Sequence, residues 1–213
     1  QDLLIYKPIL MKRLIKVLIV IIFSFITLTI ISMFWGRSAK TSINPNLIKE
    51  ILDYCKKNQL DTNYCIIVDF SIYSGKERLF IVDIPNNRID VSGLCAHGIG
   101  KDFDCIFRPK FSNKNGSNYS SLGHYRLGRR RKTSQYDLNA IELHGLNSSN
   151  SNAYQRGILI HDGLPDISII GLPCAPLSQG CFTVSDYTFD VICNVKGDSN
   201  KAILLYATDK SIF

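Results

Sequence analysis

The chain has 213 residues, enough for one domain with a real core plus a tail or anchor, and its composition is that of an ordinary globular protein. The formal net charge is +7, but residues 1–40 hold +5 of it and the rest of the chain only +2. The charge therefore reports membrane orientation, with the basic end inside, and excludes a nucleic-acid-binding role as the first reading.

In chain order, residues 17–35 hold no charged side chain and follow Lys12, Arg13 and Lys16. A basic flank before an apolar stretch of this length reads as a signal peptide or a transmembrane anchor, so residues 1–40 form an N-terminal segment. Met11 before Lys12 and Arg13 resembles a translation start, and Gly36-Arg37-Ser38 is the best candidate for a cleavage site. Residues 41–63 read as linker and helix. Asn44 caps, Pro45 takes the first helical position, and Leu47, Ile48, Ile51, Leu52 and Cys55 recur at helical spacing through Lys57.

From residue 64 to 213 the pattern is mainly β. Residues 65–70, 79–83 and 88–91 are short branched-rich runs, the last two joined as a hairpin by Pro85-Asn86-Asn87. Residues 111–123 are rich in Ser, Asn and Gly and read as loop. Arg126, Arg129, Arg130, Arg131 and Lys132 read as a solvated loop or, functionally, as a grip on an anionic polymer. Strands are expected at 140–143 and 157–160 with a polar loop between them. A helix capped by Ser185 runs to about Val195 and ends at Gly197, and a last strand covers 202–206.

Seven cysteines, an odd number, leave at least one thiol unpaired in an exported protein. A free thiol in an oxidising compartment needs a reason, and nucleophilic catalysis is one. No Cys-x-x-Cys spacing is present, so a zinc ribbon or thioredoxin-like motif is not supported. Cys181, behind Gly180 in Ser178-Gln179-Gly180-Cys181, is the leading nucleophile; alternatively it is a buried thiol or a disulfide partner of Cys174. Glycine at 180 permits a turn forbidden to other residues, and the N–H groups of Gly180 and Cys181 are candidate oxyanion donors. His161 closes the apolar run 158–160 and opens the turn Asp162-Gly163-Leu164-Pro165, where a strand end would hold a general base. His144 is a rival base or a substrate-lining group, while His97 and His124 lie in glycine-bearing turns and read as structural or substrate-lining.

His161 followed by Ser178-x-Gly180-Cys181 resembles the signature of L,D-transpeptidase catalytic domains of the YkuD type. The branch with an Arg-x-Ile-x-x-His pattern is closest, matching Arg156-Gly157-Ile158-Leu159-Ile160-His161. Phe111-Ser112-Asn113, Gly116-Ser117 and Ser120-Ser121-Leu122-Gly123-x-Tyr125 resemble its serine-rich segment, and Val195-Lys196-Gly197 before an apolar strand resembles its helix and terminal strand. The resemblance implies a β-sandwich or barrel with one helix before the β domain and one near the C-terminus. It implies a peptidoglycan-remodelling enzyme of the periplasm or cell envelope, in which Cys181 attacks the diaminopimelate carbonyl of a stem peptide to form a thioester. His161 moves the proton, and no metal or cofactor takes part. An amine acceptor makes a transpeptidase and water makes an L,D-carboxypeptidase; a non-catalytic wall-binding module is the rival of another class, and a cysteine peptidase would need an Asn or Asp to orient the histidine. The chain departs from the family at Gln179, where histidine is common, and at Thr183, where arginine is common. Arg156 is then the expected substrate-carboxylate cation, with Ser178 and His144 as further substrate-binding residues.

Overall fold

The computed structural model describes residues 11, 13–27, 41–102, 105, 109–134, 136–165 and 178–213, and its contacts divide the chain into Gln1–Ala39 and Lys40–Phe213. In the first unit residues 13–27 are helical, and the large apolar side chains from Leu14 to Ile26 are exposed. Among the described residues no helix is long and apolar enough to cross a membrane. The rest of the apolar run, residues 28–35, and Gly36-Arg37-Ser38 lie outside the described residues, as does Cys174.

The second unit begins with helix α1 (Pro45–Lys57), started as its sequence demands: Asn44 Oδ1 accepts from the Asn46 N–H at 3.0 Å and Pro45 sits in the first turn. Ile48, Ile51 and Cys55 form its buried stripe. Strands β1 (Tyr64–Asp69), β2 (Leu79–Asp83) and β3 (Arg88–Gly93) follow as an antiparallel meander. Asn87, with φ of 47°, turns the expected hairpin between β2 and β3. Then come β4 (Gly123–Lys132), β5 (Asn139–Gly145), β6 (Leu159–Leu164), β7 (Phe182–Ser185), helix α2 (Asp186–Gly197) and β8 (Leu204–Thr208). Ser185 caps α2, its hydroxyl accepting from the Thr188 N–H at 3.2 Å.

These strands form one sheet in the order β3-β2-β1-β8-β4-β5-β6-β7. β8 lies parallel to β1, and β7 parallel to β6. The chain leaving β3 reaches Ala96, which bridges Thr183 of β7, so the two sheet edges meet and the sheet is a nearly closed barrel. Strand alternation then sorts the side chains. Ile66, Val68, Leu79, Ile81, Tyr125, Leu127, Ile141, Leu143, Ile160 and Phe182 fill the interior with Phe189 and Ile192 of α2. On the outer face α1 covers Cys65, Ile67, Phe80, Val82 and Leu204. Its Tyr54 also reaches β4, stacking on His124.

Two expectations are corrected, and one strand is added. The basic cluster lies on β4 and not on a loop, because Tyr125 and Leu127 alternate inward and the cations project outward. His161 is not at a strand end: β6 continues through Asp162 and Gly163 to Leu164, with an irregularity between His161 and Leu164. β7 was not anticipated, since four residues are too few to show a period. Of the cysteines, Cys55, Cys65, Cys105, Cys181 and Cys193 are free thiols.

Candidate active site

The register of β6 on β7 places His161 beside Thr183, two residues beyond Cys181. Strand alternation puts residues two apart on one side, so Cys181 shares the outer face with His161. One strand spacing and two residues along the chain separate their Cα atoms by about 8 Å, within the combined reach of an imidazole and a thiol.

His161 is held in one tautomer. Its Nδ1 lies 2.6 Å from the carbonyl oxygen of Asp162, and a carbonyl only accepts, so Nδ1 carries the proton. Nε2 is left with its lone pair and faces Thr183 Oγ1 at 3.3 Å. The Asp162 backbone is fixed in turn, because its carboxylate takes the Asn139 N–H at 3.0 Å and Asn139 Nδ2 at 2.6 Å. Sequence reasoning missed this support. A cysteine peptidase would use an Asn or Asp side chain to orient the ring; here a main-chain carbonyl does it.

The sulfur of Cys181 lies at the start of β6, with Gly157 O at 3.7 Å. Part of the residue remains open to solvent. Burial pushes the thiol pKa up, partly offset by the Leu159 N–H and the positive charge of Arg156. No hydrogen bond joins Cys181 to His161 in this arrangement. The thiol points to the Gly157 carbonyl while Thr183 occupies the base nitrogen.

Gly180 has φ of +115°, and a Cβ there would meet Ile158 Cδ1 at 2.7 Å and Tyr119 O at 3.1 Å. A Cβ on Gly98 would collide with Gly180 N, so two backbones pass where only glycines fit. Ser178 is buried and closes the turn, donating to Cys181 O at 2.5 Å and accepting from the Gly180 N–H at 3.1 Å. Ser120 Oγ donates to Gly180 O at 3.0 Å and accepts from the Gly98 N–H at 2.9 Å. The Gly180 N–H, expected as an oxyanion donor, is thus taken by Ser178, and the Ser178 hydroxyl, expected at the substrate, is spent on the turn.

Arg156, expected to meet a substrate carboxylate, is also engaged within the protein. Nη1 donates to Ser112 O and Ser121 Oγ, both at 2.7 Å; Nη2 donates to Ser117 Oγ at 3.2 Å and Tyr119 O at 2.5 Å. All four terminal N–H groups go to the serine-rich segment. His144 stacks on Tyr154 with ring centres 4.6 Å apart, and its Nε2 lies 3.9 Å from Glu142. Burial and then Arg126 lower its pKa.

The other histidines are structural. His97 is buried, its Nε2–H donating to Cys105 O at 2.8 Å and its Nδ1 accepting from Arg78 Nη2 at 2.8 Å. His124 stacks between Tyr54 and Tyr206 at 4.0 and 4.6 Å. Among the described residues no cluster of three His, Cys, Asp or Glu could hold a metal ion.

Residues 39–206 match the family model described as L,D-transpeptidase catalytic domain. No curated protein matches the chain. Among solved structures, an L,D-transpeptidase from Xylanimonas cellulosilytica is 15% identical, with 68% of this chain and 60% of that one covered and a TM-score of 0.40. The helical cell shape determining protein Pgp2 from Campylobacter jejuni is 15% identical over 75% and 55%, with a TM-score of 0.46. An L,D-transpeptidase from Mycobacterium smegmatis is 11% identical over 68% and 58%, with a TM-score of 0.38. The part of this chain that matches spans about half to three-fifths of those solved chains.

Proposed function

Because the chain belongs to the L,D-transpeptidase catalytic-domain family, we propose that it is a cysteine acyltransferase acting on peptidoglycan stem peptides. The observation that carries this reading is the free thiol of Cys181 two residues before Thr183, which faces an imidazole whose Nδ1–H is pinned by a carbonyl. A pinned Nδ1–H leaves Nε2 as the base, the nitrogen that faces Thr183.

On substrate binding, Nε2 leaves Thr183 and takes the Cys181 proton. The thiolate adds to the diaminopimelate carbonyl, and the N–H of Cys181 steadies the oxyanion. The C–N bond to the terminal D-alanine breaks, the imidazolium returns its proton to that amine, and a thioester remains. An acceptor amine then attacks the thioester, gives its proton to Nε2, and expels the thiolate. Water in place of the amine makes the protein an L,D-carboxypeptidase.

The resting thiol suits this sequence: its raised pKa keeps the nucleophile protonated until the base arrives. A place in the bacterial cell envelope follows from the substrate. The exposed apolar side chains of residues 14–26 support attachment to a lipid surface there.

The test is incubation of the full chain with a synthetic stem tetrapeptide ending in diaminopimelate–D-alanine. We expect released D-alanine, a thioester adduct in the intact mass, and cross-linked dimers, all abolished by Cys181→Ala. Tripeptide without dimers would assign the carboxypeptidase. Retention on peptidoglycan unaffected by Cys181→Ala, with no D-alanine released by the native protein, would replace both with a wall-binding module.

A further inference from the structure

The basic cluster of β4 takes no part in the chemistry above, and the fold places it on the active-site side of the sheet. Across four strands the register reads Arg131, Ala140, His161, Thr183. Directly opposed residues share a face, so Arg131 projects from the surface that carries His161. Arg126 is opposed to His144 on the same face. Arg129, within an irregularity of β4, also turns to this side, since its Nε lies 3.7 Å from Glu142 Oε2. Arg130 belongs to the other face, with its guanidinium 5.8 Å from the ring centre of Phe189. Alternation has thus divided one run of cations, giving three of them to the outer surface.

The three cations outnumber the carboxylate that faces them. Glu142 is the carboxylate among them, at 3.7 Å from Arg129 and 3.9 Å from Arg131. Both distances exceed a hydrogen bond; Arg131 Nε donates to Lys132 O at 3.2 Å, and its terminal N–H groups and those of Arg129 face one shared carboxylate. The Arg129 side chain is 85% exposed and that of Arg131 47%, while Glu142 lies buried beneath them at 10%. Arg156, the other cation near the sulfur, has no terminal N–H left.

We propose that Arg126, Arg129 and Arg131 form a docking strip for a stem-peptide carboxylate upstream of the scissile bond. The inference rests on the stem-peptide reading above. Three strand spacings and two residues along the chain separate Arg131 from Cys181, about 16 Å between Cα atoms; an arginine side chain reaches about 6 Å of that, and an extended peptide covers the remaining stretch of about 10 Å in about three residues, diaminopimelate included. A peptide lying across β6, β5 and β4 with its scissile carbonyl at Cys181 would bring an upstream carboxylate over the strip. A guanidinium fork fits a carboxylate in two-point fashion, so the strip reads charge and position together.

The test uses the full chain, two peptides and two readouts. One peptide is the tetrapeptide ending in diaminopimelate–D-alanine. The other is the same peptide with its carboxylate upstream of diaminopimelate converted to a carboxamide. In Cys181→Ala, which cannot turn over, titration calorimetry should show the carboxylate peptide binding about tenfold more tightly, as expected for one charge-assisted contact. The added substitutions Arg129→Gln and Arg131→Gln should erase that difference by weakening only the carboxylate peptide. Because Glu142 lies buried beneath both arginines, the readout is the ratio of the two affinities in each variant, which a change in melting temperature does not alter. With Cys181 intact, the same pair should raise KM for the carboxylate peptide with little change in kcat.

Equal binding of the two peptides to Cys181→Ala, or equal weakening of both by the arginine substitutions, would overturn the strip. So would a DNA oligonucleotide that displaces the carboxylate peptide at lower concentration than unlabelled peptide does. Because binding is read without turnover, failure of the acyl-transfer chemistry leaves this result interpretable and distinct.

Discussion

Replacing Arg156 by alanine removes four charge-assisted hydrogen bonds that gather Ser112, Ser117, Tyr119 and Ser121 around one guanidinium. The hydroxyls of Ser117 and Ser121 can rotate to new partners, but the carbonyls of Ser112 and Tyr119 cannot. The guanidinium is half-buried, so solvent recovers part of the loss and the net cost is about 2–4 kcal/mol. For a domain of this size that lowers the melting temperature by about 5–15 °C. The same segment supports the nucleophile turn, since Ser120 holds Gly180 O and Tyr119 O lies against Gly180. Loosening it should therefore also speed alkylation of Cys181 by iodoacetamide, as the sulfur gains access. Lysine keeps the charge but not the planar fork that spans four acceptors, so Arg156→Lys should recover less than half of the stability. Scanning calorimetry and an alkylation time course on the full chain give both numbers. An alanine variant melting within about 1 °C of the native protein would show that the guanidinium is not the clamp described here.

Gly180→Ala places a Cβ at a φ of +115° and 2.7 Å from Ile158 Cδ1, which should cost about 2–3 kcal/mol and slow acylation of Cys181 by displacing its turn. Native-like stability and acylation in that variant would refute the need for glycine. A pH effect follows from His97, whose imidazole is held down at about 4 by burial and by the Arg78 guanidinium. The unfolded chain takes up this proton near 6.5 and the folded chain only near 4, so stability falls as pH drops through that window. The loss reaches about 3 kcal/mol at pH 4. Denaturant midpoints at pH 7 and 4.5 should separate less in His97→Gln than in the native protein; equal separations would remove His97 from the acid response.

Much of the second unit was legible because local rules acted without competition. Asn44 before Pro45, the stripe Ile48, Ile51 and Cys55, the Pro85-Asn86-Asn87 turn and the Ser185 cap are each explained by a few neighbouring residues. β4 escaped because its inward residues, Tyr125 and Leu127, sit among a glycine and five cations whose composition suggests a loop. The alternation His124-Tyr125-Arg126-Leu127 was the available signal. The residues of the candidate site were also visible as residues, since His161 and Ser178-x-Gly180-Cys181 form a motif. Their tasks were less visible. Ser178 and Arg156 turned out to bond the protein itself, while Thr183 and the Asp162 carbonyl stand at the imidazole.

The amino-acid order by itself determined which side chains could do thiol chemistry and where helices and turns begin, because both depend on residues a few positions apart. Only the tertiary structure decided which of them meet. The parallel pairing of β6 with β7 sets His161 beside Thr183, and the antiparallel ladder from β4 carries Arg131 into the same row. Pairing register is a property of two strands at once, and a shift by one residue would send every one of these side chains to the opposite face.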